Sequence, residues 1–297
     1  MKIADGCRRA AASALPLLLA GCSLLPTTRH LPAPRVPSDV KSATPQELVN
    51  QLNVRWDALS TLTATVEVQA SEFKTTAGVQ AEKDFPSART NILMRKPRML
   101  RVRGTYFGVP IFDMASNGDR FTLVIPSKSL VIEGTNSVTE KNTESPLLNL
   151  RPDFFLDAIA VRGLEPDEEF MVVSDTETIE DAAKKHLYSE PEYILSVMRP
   201  KAGKEKFPVR IITFHRDTML PSDQDIYDSQ GNLATLVSYS NYADFTAGKF
   251  PSRVVIKRPQ EGIQLVLTVE DVHENIELTD NQFQVKIPQG ATIKQLK

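Results

Sequence analysis

The stretch that decides the fold is residues 90–134, TNILMRKPRMLRVRGTYFGVPIFDMASNGDRFTLVIPSKSLVIEG. Apolar side chains occupy alternate positions in it: Ile92 and Met94, Leu100 and Val102, Val109 and Ile111, and Phe121, Leu123 and Ile125. A period of two is typical of strands that bury one face. Asn117-Gly118 is the strongest hairpin signal between these runs, because both residues tolerate the positive φ of a tight turn. The pattern predicts an antiparallel meander of about five strands with one apolar face.

A helix is predicted just before the first strand. Thr44-Pro45-Gln46-Glu47 has the form of a capping box with proline at the first helical position, and the helix is expected to end near residue 59. Its apolar stripe is Leu48, Leu52, Trp56 and Leu59. For Trp56, the single tryptophan, we favour a role in core packing over contact with a ligand by about two to one.

Short apolar helices are predicted after the meander, at residues 145–150 and 153–161. Pro146, Pro152 and Gly163 delimit them, and they contain Phe154, Phe155 and Ile159. Helices this short are not stable alone, so they must lie on another apolar surface. We place them across the open face of the sheet. A lid over a cavity and ordinary core packing both fit the sequence.

Strand patterns resume at residue 169 and continue almost to the C-terminus. No repeat or linker divides residues 44–297 of the 297-residue chain, so they are expected to form one domain. The predicted class is mainly β with a few helices, that is, α+β.

The N-terminus has the pattern of a lipoprotein signal. Basic Lys2, Arg8 and Arg9 precede an apolar run at residues 10–20, which is too short to span a membrane. The run ends in Leu19, Ala20, Gly21 and Cys22, which resemble the bacterial lipobox. The resemblance implies a signal peptide at residues 1–21, cleavage by signal peptidase II before Cys22, and acylation of Cys22, for example by palmitate. Residues 22–43 contain several prolines and are expected to form an extended tether.

The composition and the absence of known catalytic and binding motifs exclude several classes of function. The net charge of −2 gives no basic surface for nucleic acid, and the two cysteines, Cys7 and Cys22, both lie near the N-terminus. The four histidines show no metal-binding spacing, and His215 and His273 are interpreted as surface residues. No nucleotide, dinucleotide or hydrolase motif occurs. We therefore predict no catalytic residues, no metal, no cofactor and no enzyme activity.

Several of these runs together resemble the LolA/LolB-like superfamily of bacterial lipoprotein carriers. The N-terminal half supplies the capped helix, KPRMLRV at residues 96–102 and NGDRFTLVIP at residues 117–126. The C-terminal half supplies FPSRV at residues 250–254 and IPQGA at residues 287–291. The resemblance covers most of residues 44–292.

The resemblance implies an unclosed antiparallel β-barrel of about eleven strands, with helices covering the concave apolar face. Members hold acyl chains in the cavity between sheet and helices. A lipid-anchored member would accept lipoproteins from a soluble periplasmic carrier and release them into the outer membrane. Ser23 after the cysteine, where Asp would retain enteric lipoproteins at the inner membrane, favours that destination. An acceptor also has a protruding apolar loop, for which residues 106–109 and 145–150 are the two matches.

The predicted cavity lining follows from the strand parity and the covering helices. It comprises Trp56, Leu100, Val102, Ile111, Phe121, Leu123, Ile125, Phe154, Phe155 and Ile159. The alternative is a non-enzymatic envelope scaffold or sensor lipoprotein on the same fold, with a filled core in place of the cavity.

Overall fold

A computed structural model of the protein describes residues 39–76, 79–136, 146–181, 186–200 and 205–296. Fifteen strands in these ranges form a single sheet, accompanied by two α-helices and three short 3-10 helices. The prediction of a mainly β protein with a few helices is confirmed. None of the helices in the described ranges is long and apolar enough to cross a membrane.

The strands follow one another closely along the chain. In chain order they are β1 Thr61–Thr76, β2 Val79–Asp84, β3 Ala88–Arg95, β4 Met99–Tyr106, β5 Val109–Ser116, β6 Arg120–Ile125, β7 Leu130–Thr135, β8 Glu169–Asp181, β9 His186–Pro200, β10 Lys206–His215, β11 Leu220–Tyr227, β12 Leu233–Phe245, β13 Gly248–Arg258, β14 Ile263–Glu274 and β15 Thr292–Gln295. The helices are α1 Pro45–Ala58 and α2 Pro152–Ile159, and the 3-10 helices are Pro126–Lys128, Pro146–Asn149 and Asp280–Phe283.

The expected number of about eleven strands is wrong for this chain. Three polar segments add to the strands: part of residues 73–85 forms the β1–β2 hairpin, residues 176–181 extend β8, and the C-terminal tail adds β15. A polar segment beside a sheet edge can satisfy its backbone N–H and C=O groups by hydrogen bonding to the edge strand. It therefore joins the sheet even though its side chains show no apolar alternation.

The sheet has the order β15-β7-β6-β5-β4-β3-β1-β14-β13-β12-β11-β10-β9-β8, and β2 pairs with β1 beside this path. The five-stranded meander predicted from residues 90–134 is β3–β7. Strand β1 pairs with both β3 and β14 and so joins this meander to the C-terminal one. The edge strands of the described sheet, β15 and β8, lie at opposite ends of the order, so the sheet is unclosed, as predicted.

Helix α1 begins at the predicted capping box. The Thr44 hydroxyl accepts a hydrogen bond from the Glu47 N–H at 3.3 Å, and the Glu47 carboxylate accepts one from the Thr44 N–H at 2.7 Å. The buried side of the helix packs on one end of the sheet, in a cluster of Leu48, Val49, Leu52, Tyr193, Leu195, Val197, Ile212 and Phe214. The first part of α1 therefore covers the inner face of β9 and β10.

Candidate functional site

Most of the predicted cavity lining meets in one apolar cluster. Six of the ten side chains are buried in it: Leu100, Val102, Phe121, Leu123, Phe155 and Ile159. Trp56 and Ile125 are partly buried against the same cluster. Cross-strand pairing aligns Val102 with Met114 and Met114 with Leu123, so these side chains share the inner face of the sheet.

Ile111 was assigned to the wrong face. A bulge in β5 interrupts the alternation, because Gly104 pairs with Phe112 while Thr105 pairs with Pro110. Phe112 packs against the core in the position expected for Ile111, and Gly104 leaves the space that its ring needs. A one-residue insertion exchanges the faces of a strand, and no turn signal in the sequence marks it.

The space beneath the first turns of α2 is filled. Phe155, Leu156 and Ile159 of the helix and Leu148 of the preceding 3-10 helix belong to the buried cluster. The crevice between Leu150, Phe154, Phe155, Ile256, Ile263 and Leu265 has no room for a water molecule. Phe154 itself is half-buried, and the guanidinium carbon of Arg258 lies 3.3 Å from the centre of its ring. Phe121 belongs to the same cluster, and the centre of its ring lies 4.8 Å from the guanidinium carbon of Arg151, just before α2. We call this part of the interior, including Phe121, the sealed region.

Buried polar groups fix the C-terminal end of α2 to the sheet. The Tyr239 hydroxyl donates to the Ala158 carbonyl at 2.9 Å, and the Gln224 amide donates to the Asp157 carbonyl at 2.8 Å. The Arg210 guanidinium donates to the carbonyls of Arg162 and Gly163 at 2.6 and 2.5 Å. Burial lowers the pKa of Arg210 to about 10. These groups hold the end of the helix at a defined height above the sheet.

Sequence reasoning missed this polar anchor, although one signal for it exists. Arg210 shares its strand parity with Ile212 and Phe214, which both point into the core. An arginine in register with apolar neighbours indicates a buried guanidinium with carbonyl or carboxylate partners. The second partner is Glu168, whose carboxylate lies 3.7 Å from Arg210.

A cavity of about 210 Å³ lies beside the last turn of α1, between that helix, the chain after α2 and strands β11–β13. Its lining includes Trp56, Leu59, Ile159, Ala160, Val161, Phe214, Met219, Leu220, Tyr239, Tyr242 and Phe250. This cavity, which we call the cleft, touches the buried cluster through Leu59, Ile159 and Tyr239. It is smaller than the ~300–1,000 Å³ typical of pockets for drug-sized molecules.

The cleft lining also contains polar groups, among them Arg55 and Glu274. Burial raises the pKa values of Tyr239 and Tyr242, and the Tyr242 hydroxyl donates to the Pro221 carbonyl at 2.7 Å. Burial also raises the pKa of Glu274, while Arg55 acts in the opposite direction. Most of the lining residues are apolar, so the cleft favours an apolar occupant.

The turn between β4 and β5 is an exposed apolar tip. Phe107 is 90% exposed, Val109 is 63% exposed, and the Tyr106 ring packs edge-on to that of Phe107 at 4.6 Å. Gly108 lies at φ +79° with no atom near the place of a Cβ. Of the two matches for a protruding loop, residues 106–109 are exposed. In residues 145–150, Leu148 is buried and Ser145 lies outside the described residues.

The predicted anchor lies outside the described residues. Leu19, Ala20, Gly21 and Cys22, the signal peptide at residues 1–21 and the tether up to residue 38 all precede them. The first described residues run beside β10, where the Lys41 N–H donates to the Arg216 carbonyl at 2.8 Å. The lipoprotein assignment stays a prediction.

No family model matches the sequence, and no curated protein matches it. Solved structures do resemble it. A LolA superfamily protein from Nitrosomonas europaea superposes with a TM-score of 0.50 and 16% identity, covering 82% of this chain and 99% of that one. A DUF1329 family protein from Desulfovibrio piger gives a TM-score of 0.48 and 15% identity, over 80% of this chain and 94% of that one.

A putative outer membrane lipoprotein-sorting protein domain from Vibrio parahaemolyticus gives a TM-score of 0.46 and 13% identity, over 80% of this chain and 94% of that one. At such identities the likeness concerns the fold. The chain is a mainly β protein with one large unclosed sheet, and its fold is LolA/LolB-like, as the sequence resemblance predicted.

Proposed function

We propose that this chain is a lipid-anchored protein of the bacterial outer membrane that binds acyl chains and helps deliver them to that membrane. The acyl chains belong to lipoproteins or other lipids, and no catalysis is involved. The observation that supports this proposal is the cleft: an apolar cavity of about 210 Å³ that touches the buried cluster of the concave face.

Acyl-chain binding at this place is physically coherent. Each CH₂ group removed from water contributes about 0.8 kcal/mol, so even a partly inserted chain is bound appreciably. The cleft holds only the end of a long chain. A deeper position requires the last turn of α1 or the chain after α2 to move, because the sealed region has no spare volume.

Release into a bilayer needs no chemical energy if the membrane offers equal burial. The tip at residues 106–109 presents Phe107 and Val109 to the surroundings, and aromatic side chains partition well into the membrane interface. We propose that this tip contacts the bilayer during transfer. Acylated Cys22 would keep the domain at that surface, and a soluble periplasmic carrier protein would supply the cargo.

The second candidate function is an envelope scaffold or sensor lipoprotein with a filled core. The sealed region favours it, because the crevice beside Phe154 and Phe155 has no room for a water molecule. The two functions differ in one measurable property. A carrier binds an acyl chain inside the domain, and a scaffold with a filled core does not.

A single experiment tests the proposal. A soluble form beginning at Ser23 is titrated with a fluorescent fatty-acyl probe, and the probe is then chased into lipid vesicles. Leu220→Trp fills the cleft and is expected to weaken probe binding about tenfold, since the loss of burial for two CH₂ groups corresponds to roughly that factor. Phe107→Ser is expected to leave probe binding unchanged and to slow transfer to vesicles.

Met171→Trp is the matched control, because Met171 is an exposed apolar side chain on the edge strand β8, away from the cleft lining. Its binding should equal that of the unmutated domain. Thermal melting of every variant separates lost binding from lost folding. If the unmutated, folded domain binds no probe, the carrier proposal is wrong and the scaffold is favoured.

A further inference from the structure

A group of acidic side chains and one histidine lies on the outer face of β8, β9 and β10. Pairing places Asp175 opposite Glu192, and Glu192 opposite His215, in one row across the three strands. Glu177 lies opposite Glu190 in the neighbouring row. Phe214 and Tyr193, the adjacent pair, point into the core, so this row points the other way.

The side-chain atoms of Glu190, Glu192 and His215 converge on one point. The Nδ1 atom of His215 lies 3.4 Å from a Glu192 carboxylate oxygen and 3.6 Å from a Glu190 oxygen. All three ligand atoms lie within 4.8 Å of one another. These separations exceed the ~2.7–3.2 Å of a hydrogen bond. They approach the ~3.3 Å between two ligands of a tetrahedral ion whose bonds are ~2.0–2.1 Å long.

Within the described ranges, the charged contacts of Glu190 and Glu192 on this face are with His215. Carboxylates directly opposite one another destabilise a sheet, and this face has two such pairs, Asp175 with Glu192 and Glu177 with Glu190. Glu192 is only 8% exposed, and its one charged contact in the described structure is with His215. Burial raises the pKa of Glu192, and Glu177 and Glu190 act in the same direction.

The arginine next to His215 in the chain has other partners. The Arg216 guanidinium donates to the Lys41 carbonyl at 3.0 Å and to the hydroxyls of Ser174 and Ser42. It also stacks on the Tyr193 ring at 4.7 Å. Its hydrogen-bonding atoms are thus directed to the start of the described chain and to β8.

Space for an ion is present beside two of the three side chains. A cavity of about 80 Å³ is lined by Glu190, Pro191, His215 and Asp217, and the Glu192 carboxylate reaches His215 from outside this lining. A single water needs only about 10–15 Å³ by the same kind of measure, so an ion with a water ligand fits. Asp217 is a carboxylate at the wall of this cavity and could complete the coordination directly or through that water.

We propose that Glu190, Glu192 and His215 bind a divalent transition-metal ion, for which Zn²⁺ is the best match. One imidazole nitrogen and two carboxylate oxygens are common zinc ligands, and a water or Asp217 supplies the fourth. The ion would link β9 to β10 near the open edge of the sheet. The proposal goes beyond lipid binding and does not depend on it, since none of these ligands lines the cleft.

The test uses the full chain, prepared free of metal and titrated with Zn²⁺ by calorimetry. The unmutated chain is expected to bind one equivalent more than His215→Gln, and Zn²⁺ is expected to raise the melting temperature of the unmutated chain only. Any binding at Cys7, Cys22 or His30 is common to both proteins and cancels in the difference. Co²⁺ in place of Zn²⁺ should give visible absorption bands of a tetrahedral site, which His215→Gln lacks.

Two further variants keep the result interpretable. Glu192→Gln preserves the shape of the side chain and should also fail to bind this one equivalent of Zn²⁺. Its metal-free form should melt no lower than the unmutated chain, because a like-charge contact is removed.

His273→Gln is the matched control. His273 is also a strand histidine beside a carboxylate, Asp271, but the two are at a hydrogen-bonding distance of 2.8 Å. Equal stoichiometry and affinity in the unmutated chain and in folded His215→Gln would overturn the proposal. Loss of the equivalent in His273→Gln would overturn it too.

Discussion

The two α-helices cover the same concave face with different results. Beneath α2, the sealed region has no space for a water molecule beside Phe155, whereas a cavity of about 210 Å³ remains beside the last turn of α1. Both helices begin with a proline, and both contribute buried apolar side chains. In this fold, therefore, a helix can cover the apolar face of the sheet without filling the space beneath it.

Composition and length explain the difference. Helix α2 has eight residues, PDFFLDAI, which are mostly apolar and fill the space above the sheet closely. Helix α1 has fourteen residues but buries only Leu48, Val49 and Leu52, all before its last turn. Its last turn contains Arg55, whose guanidinium donates to the Lys249 carbonyl at 2.8 Å, and half-buried Trp56. An arginine and an incompletely buried indole leave the cleft beside that turn.

Phe121→Glu should have the largest effect, because it places a carboxylate in the sealed region. Phe121 is 2% exposed in the buried cluster, and removal of a buried phenylalanine side chain costs about 3–5 kcal/mol. Pairing of the new carboxylate with the Arg151 guanidinium, 4.8 Å from the ring centre, offsets only part of this loss. We expect the domain to be unfolded or molten at room temperature. Circular dichroism and thermal melting measure this.

If Phe121→Glu retains a cooperative transition near that of the unmutated domain, the sealed region contains more free space than the structure shows. The contrast between the two regions would then fail. Val54→Glu, at a side chain of α1 that is 69% exposed, is the control for the added charge and should melt nearly unchanged.

Tyr239→Phe and Tyr242→Phe make the same substitution at two hydroxyls of the cleft lining, one fully buried against α2 and one less buried. The buried Tyr239 hydroxyl donates to the Ala158 carbonyl of α2 at 2.9 Å, and its loss leaves that carbonyl unpaired, at a cost of about 1–3 kcal/mol. The Tyr242 hydroxyl donates to Pro221 at 2.7 Å beside the cleft, where water can replace it, so about 0.5–1 kcal/mol is expected. Urea unfolding measures both free energies.

Equal losses for the two variants would show that the carbonyls of Ala158 and Pro221 are equally accessible to water. The cleft would then be closed in solution. A larger loss for Tyr242→Phe would show that the Pro221 carbonyl is the less accessible of the two.

Alkaline pH gives the smallest of the three effects. Burial raises the pKa of Tyr242 above its ordinary value of 10.0, so the unfolded chain loses this proton before the folded one does. The contribution of Tyr242 to stability is therefore complete below pH 10 and decreases as the pH rises above it, by at most about 1.4 kcal/mol per pH unit. Unfolding in urea at pH 9 and pH 11 should show a smaller alkaline loss for Tyr242→Phe than for the unmutated domain.

Other groups that titrate in this range, including Arg210, are present in both proteins and cancel in the comparison. An acyl probe that occupies the cleft should sharpen the effect, since it excludes water from Tyr242 further. If the free energy of unfolding of Tyr242→Phe depends on pH as that of the unmutated domain does, the Tyr242 hydroxyl is solvated in the folded state.

The local patterns of this sequence were sufficient for most of the elements. Period-two alternation located β3–β7, and the Thr44–Glu47 capping box gave the start of α1. The alternating pattern did not predict the inner-face residue correctly at Ile111. The bulge there arises from the pairing of two strands, so the sequence of one strand does not show it. The alternating pattern also failed for β15, whose parallel pairing with β7 depends on the position of the sheet edge.

The candidate site was predicted less completely than the fold. Six of the ten proposed lining residues are buried together, since apolar parity in a strand identifies its inner face. The cleft itself is bounded by residues from distant segments, such as Trp56, Leu220 and Phe250, and their approach could not be derived from any one segment. The group of Glu190, Glu192 and His215 depends on strand register in the same way.

The sequence by itself determined the mainly β class, the apolar face of the sheet and the presence of short covering helices, because these follow from periodicity and capping within ten to fifteen residues, on the order of one element. Only the tertiary structure decided how closely each helix fills the space beneath it. Filling depends on the sum of side-chain volumes from strands far apart in the chain, and a gap of one methylene group already changes packing. For that reason Phe121 in the sealed region and Trp56 at the cleft belong to the same predicted set yet lie in different surroundings.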